Sequence, residues 1–293
     1  MASKLTTVFC KNLFAGKVAV VTGGGTGIGK AISKELAELG CRVVIASRKL
    51  STLEEAAKEL NKYVTDKDQV KSSVVYPFQC NIRHEDQVEA LMDYTVQQHG
   101  RIDYLVNNGG GQFMSPLAYM KTKGWNAVID TNLNGTYYCL KHAYHKWMKE
   151  NGGSIVNIIV DMLTGFPGMA HTGAARAAVE NMSKSLAVEW ASDGVRINNI
   201  APGVIYSPTA AANYKSDDVF DMYLENIPAR RVGYPEEISG AVCFLLSPAA
   251  SYTTGVTVAI DGAWGLYKKN YEVPDHEGKW PLGVHSDYVK SKL

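Results

Sequence analysis

The chain has no pair of cysteines at metal-ligand spacing, no long apolar run and no excess of charge of either sign. Its five cysteines, Cys10, Cys41, Cys80, Cys139 and Cys243, are widely spaced singletons. No CxxC element for zinc or disulfide exchange is present, so no metal is expected, and the thiols read as buried and reduced in an intracellular protein. Thirty Lys and Arg against 29 Asp and Glu leave a net charge of +1, which argues against a broad nucleic-acid surface. No stretch is apolar for long enough to span a bilayer, and the N-terminus lacks the apolar core of a secretory signal. No Pro- or Ser-rich linker, internal repeat or low-complexity segment divides the 293 residues. One domain over 17–267 is therefore expected, between an N-terminal extension (1–16) and a polar C-terminal tail (268–293).

The strongest positive signal runs from Val20 to Gly29. An apolar strand ends in Gly23-Gly24-Gly25-Thr26-Gly27-Ile28-Gly29, and a helix follows with Ile28, Ile32 and Leu36 at helical spacing. The backbone must turn sharply there and lie close to a ligand, which glycine permits at least cost. The helix start directs unpaired N–H groups at an anion. This combination suits the pyrophosphate of a dinucleotide, with Gly23, Gly25, Thr26, Gly27, Ile28 and Gly29 as its contacts.

Further strands are expected at 42–46, 73–79, 102–106, 154–159, 196–200 and 256–260, alternating with helices. Apolar strands in such alternation predict an α/β fold: a doubly wound parallel sheet of about seven strands with helices on both faces. Its ligands bind at the carboxyl ends of the strands. Ser47 and Arg48 close the second strand where an acidic residue would bind the adenosine ribose, which selects NADPH as the cofactor. Asn81 and Ile82 end the third and suit the adenine. Asn108, Gly109 and Gly110 end the fourth, beside the middle of the cofactor, and Pro202, Gly203 and Val204 follow the sixth, near the nicotinamide. The chain closes on Ser291-Lys292-Leu293, the address read by the peroxisomal import receptor, so a peroxisomal location is expected.

Thr22 to Gly29, Asn107 to Gly110, Asn132 within Thr131-Asn132-Leu133-Asn134-Gly135, and Asn199-Ile200-Ala201-Pro202-Gly203 together resemble the short-chain dehydrogenase/reductase family, over about 17–262. The resemblance implies a single Rossmann-type domain, with tetramers joined through two long helices. Within the family, Asn107 to Phe113, His171 to Ala177, Val204 to Ser207 and Tyr271 to His276 look like peroxisomal trans-2-enoyl-CoA reductases. That likeness implies NADPH-dependent saturation of the 2,3 double bond of an acyl-CoA thioester. A 2,4-dienoyl-CoA reductase and a catalytically silent NADP-binding scaffold are the alternatives.

Most of the family carries Tyr-x-x-x-Lys on the helix after the fifth strand. Here Arg176 stands at the lysine and Thr172 at the tyrosine, and no tyrosine occurs between Tyr144 and Tyr206. Such a loss disfavours alcohol–ketone interconversion, which needs a proton relay at the carbonyl. Enoyl reduction depends more on stabilising an enolate. Arg176 is the candidate for the ribose and for positive potential. Glu180, one turn on, is either the α-carbon acid or half of a surface ion pair with Arg176. Asn132 is expected to hold a backbone-kinking water, with a polar helix contact as the other reading. Phe113 and Thr172 are candidate substrate contacts. His171 reads as a capping or solvent-facing residue and Asp161 as an exposed loop carboxylate.

Overall fold

The computed structural model describes residues 9–68, 74–162, 165–214, 220 and 223–267. Seven parallel strands form one sheet: β1 (Val18–Thr22), β2 (Arg42–Ser47), β3 (Val75–Gln79), β4 (Tyr104–Asn107), β5 (Gly153–Ile158), β6 (Val195–Pro202) and β7 (Thr257–Ile260), in the order β3-β2-β1-β4-β5-β6-β7. All five residues of β1 are buried, as a strand covered on both sides requires. Val21, Ile45 and Val106 face α1 (Gly27–Glu38) and α2 (Leu50–Asp68) in one layer; Val20, Val44 and Leu105 face α3 (Glu85–His99) in the other. The strand order reverses between β1 and β4, and that switch point opens the crevice in which such sheets bind ligands.

After β4 comes a long helical run: α4 (Thr122–Ile129), a π turn (Asp130–Asn134), α5 (Gly135–Ala143), a second π turn (Tyr144–Met148) and α6 (Lys149–Asn151). Periodicity predicts one continuous helix there; the two wide turns are invisible to it, because a π turn adds one residue without breaking the apolar face. The helix after β5, α7 (Ala170–Glu189), lies against β6. A short helix absent from the sequence reading, α8 (Pro208–Tyr214), follows β6, and α9 (Pro235–Leu246) packs on α1.

Part of the expected N-terminal extension belongs to the packed body. Phe14 is fully buried, its N–H donates to the Leu39 carbonyl at 2.9 Å, and its ring meets Tyr104 edge-to-face at 5.2 Å. Four cysteines are buried as expected, but Cys10 is exposed. Among the described residues no helix is long and apolar enough to cross a membrane, and no cluster of potential ligands could hold a metal. The tail with Ser291, Lys292 and Leu293 lies outside the described residues.

Candidate active site

At the carboxyl ends of β1, β4, β5 and β6 lies a cleft of about 370 Å³. Its floor is the turn between β1 and α1. Gly23 has φ +66°, and a Cβ there would lie 2.8 Å from Asn108 Nδ2; a Cβ on Gly29 would overlap the Gly23 carbonyl. Helix α1 therefore seats directly on the turn. Gly23, Thr26, Gly27 and Ile28 line the cleft, and the first turn of α1 leaves there N–H groups without intrahelical partners, the kind that bind anions. Gly25 lies behind this wall, its Cβ position 3.2 Å from Leu53.

The β4 end is locked to the turn. Thr22 Oγ1 accepts hydrogen bonds from the N–H groups of Asn108 and Gly109 at 3.1 and 2.9 Å, and Asn108 Nδ2 donates to the Thr22 carbonyl at 3.0 Å. Ile82 supports Gly109 and Gly135 from beneath. Asn81 forms a small side-chain turn, Oδ1 accepting from the Arg83 N–H at 3.3 Å. Ser47 closes β2, and Arg48 beside it is exposed with no ion pair among the described residues; its carbonyl is tied to Gln79 Nε2 at 3.0 Å. Pro202, Gly203 and Val204 line the opposite wall.

Asn132 is fully buried in the first π turn, its side chain paired with both backbone groups of Gly111, accepting at 2.9 Å and donating at 3.0 Å. A π turn stands where the water-held kink was expected, and its asparagine clamps the loop that lines the cleft. Arg176 is 8% exposed. Its Nη1 donates to the Ile158 carbonyl at 2.9 Å, and a Cβ on Gly110 would overlap Nη2. No carboxylate pairs with it among the described residues, and burial lowers its pKa to about 10. A buried cation on a cleft wall without a protein counter-charge is a site for an anionic or electron-rich ligand.

The structure does not bring Glu180 to that cation, which corrects the expected pairing. Its carboxylate accepts from Lys184 Nζ at 2.9 Å and from Thr257 Oγ1 at 3.2 Å, and its side chain is 28% exposed. Four residues separate it from Arg176, but the helix turns about 100° per residue. That offset of about 40° is enough to aim one at the cleft and the other at β7. Glu180 instead ends a ladder of in-register strand residues. Asn107 donates to Asn157 at 2.8 Å, Asn157 to Asn199 at 3.3 Å, Asn199 to Thr257 at 3.3 Å and Thr257 to Glu180. Among the described residues no carboxylate pairs with Arg176 in its place.

Other placements also differ from expectation. Asp161 is 5% exposed, its carboxylate against Gly265, because the chain after β5 folds under the loop that follows β7. His171 and Thr172 are fully buried at the start of α7, and Phe113 meets His171 edge-to-face at 4.6 Å instead of lining the cleft. Gln112, Phe166, Met169, Phe220, Tyr223 and Trp264 supply walls that sequence reasoning missed. They come from the connections after four different strands, where no strand or long-helix periodicity marks them. The aromatic residues after the sixth and seventh strands are the one signal that was there to read.

Glycine turn, exposed helix start and buried cation together fit a phosphorylated dinucleotide, and the sheet and cleft define a nucleotide-binding oxidoreductase. The chain belongs to the short-chain dehydrogenase/reductase family: the family model described as enoyl-(acyl carrier protein) reductase matches residues 23–264. Over 271 residues it is 37% identical to the peroxisomal 2,4-dienoyl-CoA reductase [(3E)-enoyl-CoA-producing] of Danio rerio, covering 89% of this chain and 86% of the relative. It is 36% identical to a probable 2,4-dienoyl-CoA reductase [(2E)-enoyl-CoA-producing] of Bacillus subtilis, covering 85% and 97%. A citronellol catabolism dehydrogenase of Pseudomonas aeruginosa superposes with TM-score 0.77 at 39% identity, covering 89% of this chain and all of that one.

Proposed function

We propose that this protein is an NADPH-dependent reductase of trans-2-enoyl-CoA thioesters, acting in the peroxisome in fatty acyl metabolism. The observation that carries this reading is Arg176: a buried guanidinium against Gly110 on a helix with no tyrosine. Ketone reduction needs a positioned proton donor at the oxygen. An activated alkene needs a field that stabilises negative charge on the thioester oxygen, and a buried cation, charged at neutral pH, supplies it. When bound, NADPH supplies the hydride equivalent to the β-carbon. Gly27 and Ile28 at the start of α1 hold its pyrophosphate and Arg48 its 2′-phosphate; Asn81 and Ile82 border the adenine. Arg176 holds the nicotinamide ribose, with Pro202 to Val204 beside the carboxamide. Asn132 fixes Gly111, and hence the loop under the reacting atoms. Water delivers the α-carbon proton, since among the described residues no carboxylate pairs with Arg176.

A second reading, 2,4-dienoyl-CoA reduction, is favoured by the two relatives of that name. Both reactions need the same charge stabilisation and differ in where the hydride lands. Purified protein with NADPH separates them: consumption of trans-2-enoyl-CoA is expected, and consumption of 2,4-dienoyl-CoA alone overturns the choice. Tight NADPH binding with neither substrate turned over indicates a scaffold. Import is proposed through Ser291-Lys292-Leu293; a fluorescent fusion that stays peroxisomal after deletion of these three residues refutes that route. Assembly as a homotetramer is proposed on family likeness, and light scattering measures it.

A further inference from the structure

Three polar side-chain atoms at the start of α7 are buried without a hydrogen-bond partner: Nδ1 and Nε2 of His171 and Oγ1 of Thr172. Both residues are fully buried. Native interiors rarely leave such groups unpaired, and three together need an account. They lie directly behind the cleft wall. Phe166 and Met169, just before them in sequence, line the cleft, and so does Arg176. Thr172 is one helical turn before Arg176 on α7. The cover over His171 is Phe113, in edge-to-face contact at 4.6 Å and 41% exposed. Phe113 continues the segment Asn108 to Gln112, which lines the cleft. The ring over His171 is thus partly exposed, and the imidazole and the neighbouring Thr172 hydroxyl have no hydrogen-bond partner among the described residues.

We propose that His171 and Thr172 form the recognition site for the thioester carbonyl, opened when the substrate's acyl chain displaces the Phe113 ring. The inference rests on the enoyl-thioester reading above and names the groups that meet the oxygen. A carbonyl oxygen accepts two hydrogen bonds, and the Thr172 hydroxyl and one His171 N–H can donate both. Arg176, a turn along, adds charge as the oxygen becomes negative, so these bonds strengthen toward the transition state. Ring displacement is local, because Phe113 sits in the loop after β4, with the tip of its ring packed over Gly124.

The test compares binding of a saturated acyl-CoA thioester with its S-alkyl-CoA thioether, which has the same chain and headgroup but no carbonyl. Calorimetry on the NADP-loaded protein measures both, and thermal unfolding checks each variant. Wild type is expected to prefer the thioester by about fivefold or more, the worth of one or two hydrogen bonds. Thr172→Val, which keeps the shape, and His171→Phe, which keeps the ring contact, are expected to lose that preference while binding the thioether as before. Their kcat should fall by about ten- to a hundredfold, with the Kd for NADPH unchanged. His171→Gln should recover part of the loss. Equal binding of the two ligands by wild type, or an undiminished preference in folded Thr172→Val, overturns the inference. Failure of the enoyl-thioester reading looks different: wild type then binds neither ligand and turns over no enoyl-CoA.

Discussion

Asn132 and Gly111 hold each other through two hydrogen bonds: the Gly111 N–H donates to Asn132 Oδ1 at 2.9 Å, and Asn132 Nδ2 donates back to the Gly111 carbonyl at 3.0 Å. The pairing closes a ring between the π turn and the loop after β4. Replacing Asn132 by Ala leaves both backbone groups of Gly111 without their partner. Asn132→Ala should lower stability by about 2–4 kcal/mol in urea unfolding and weaken NADPH binding with it. Asn132→Asp keeps one acceptor, cannot donate to the carbonyl, and should fall between.

Arg176 is expected to trade stability for function. Burial lowers its pKa to about 10 in the folded protein, so the unfolded chain binds that proton more tightly. The stabilisation from this depressed group is present above its unfolded value and is lost as pH falls through about 10. At neutral pH the buried cation is therefore a cost. Arg176→Met should unfold at the same or higher urea concentration, by up to about 1–3 kcal/mol, while enoyl-CoA turnover drops by about a hundredfold or more. In the wild-type enzyme, kcat/KM should fall as pH rises through about 10, where the free enzyme loses the cation.

Glu180 should prove dispensable for chemistry. Its carboxylate is engaged with Lys184 and Thr257. Glu180→Gln is predicted to change kcat less than about twofold and stability by less than about 1 kcal/mol. A drop of two or more orders in kcat with an unchanged melting temperature would restore it as the acid.

Arg48 is predicted to carry the choice between NADPH and NADH. It is exposed at the end of β2 and makes no competing ion pair among the described residues. Arg48→Ala should raise the Kd for NADPH by about ten- to a hundredfold and leave NADH unchanged. The effect should shrink in high salt, because an exposed pair is screened. Equal losses for both cofactors would assign Arg48 to structure.

The sheet was legible because its strands are short apolar blocks bounded by glycine and helix signals, and each expected strand lies within about two residues of an observed one. The glycine turn could be read because backbone approach restricts residue type locally. Glu180 could not be placed that way. Spacing puts it beside Arg176, yet 100° per residue and the packing of α7 send the two side chains apart. His171 and Asp161 were misplaced for the opposite reason: they look like ordinary surface polar residues, and only the loops folded over them bury them.

By itself the sequence pointed to the class of ligand, a nicotinamide dinucleotide, because such a ligand is recognised by a contiguous turn and helix start that local residue types reveal. Tertiary structure alone decided which polar groups share the cleft. Thr26, Gly110, Arg176 and Trp264 line it from four separate segments, and whether their atoms meet depends on how helices seat on the sheet, a long-range packing outcome that no local pattern encodes.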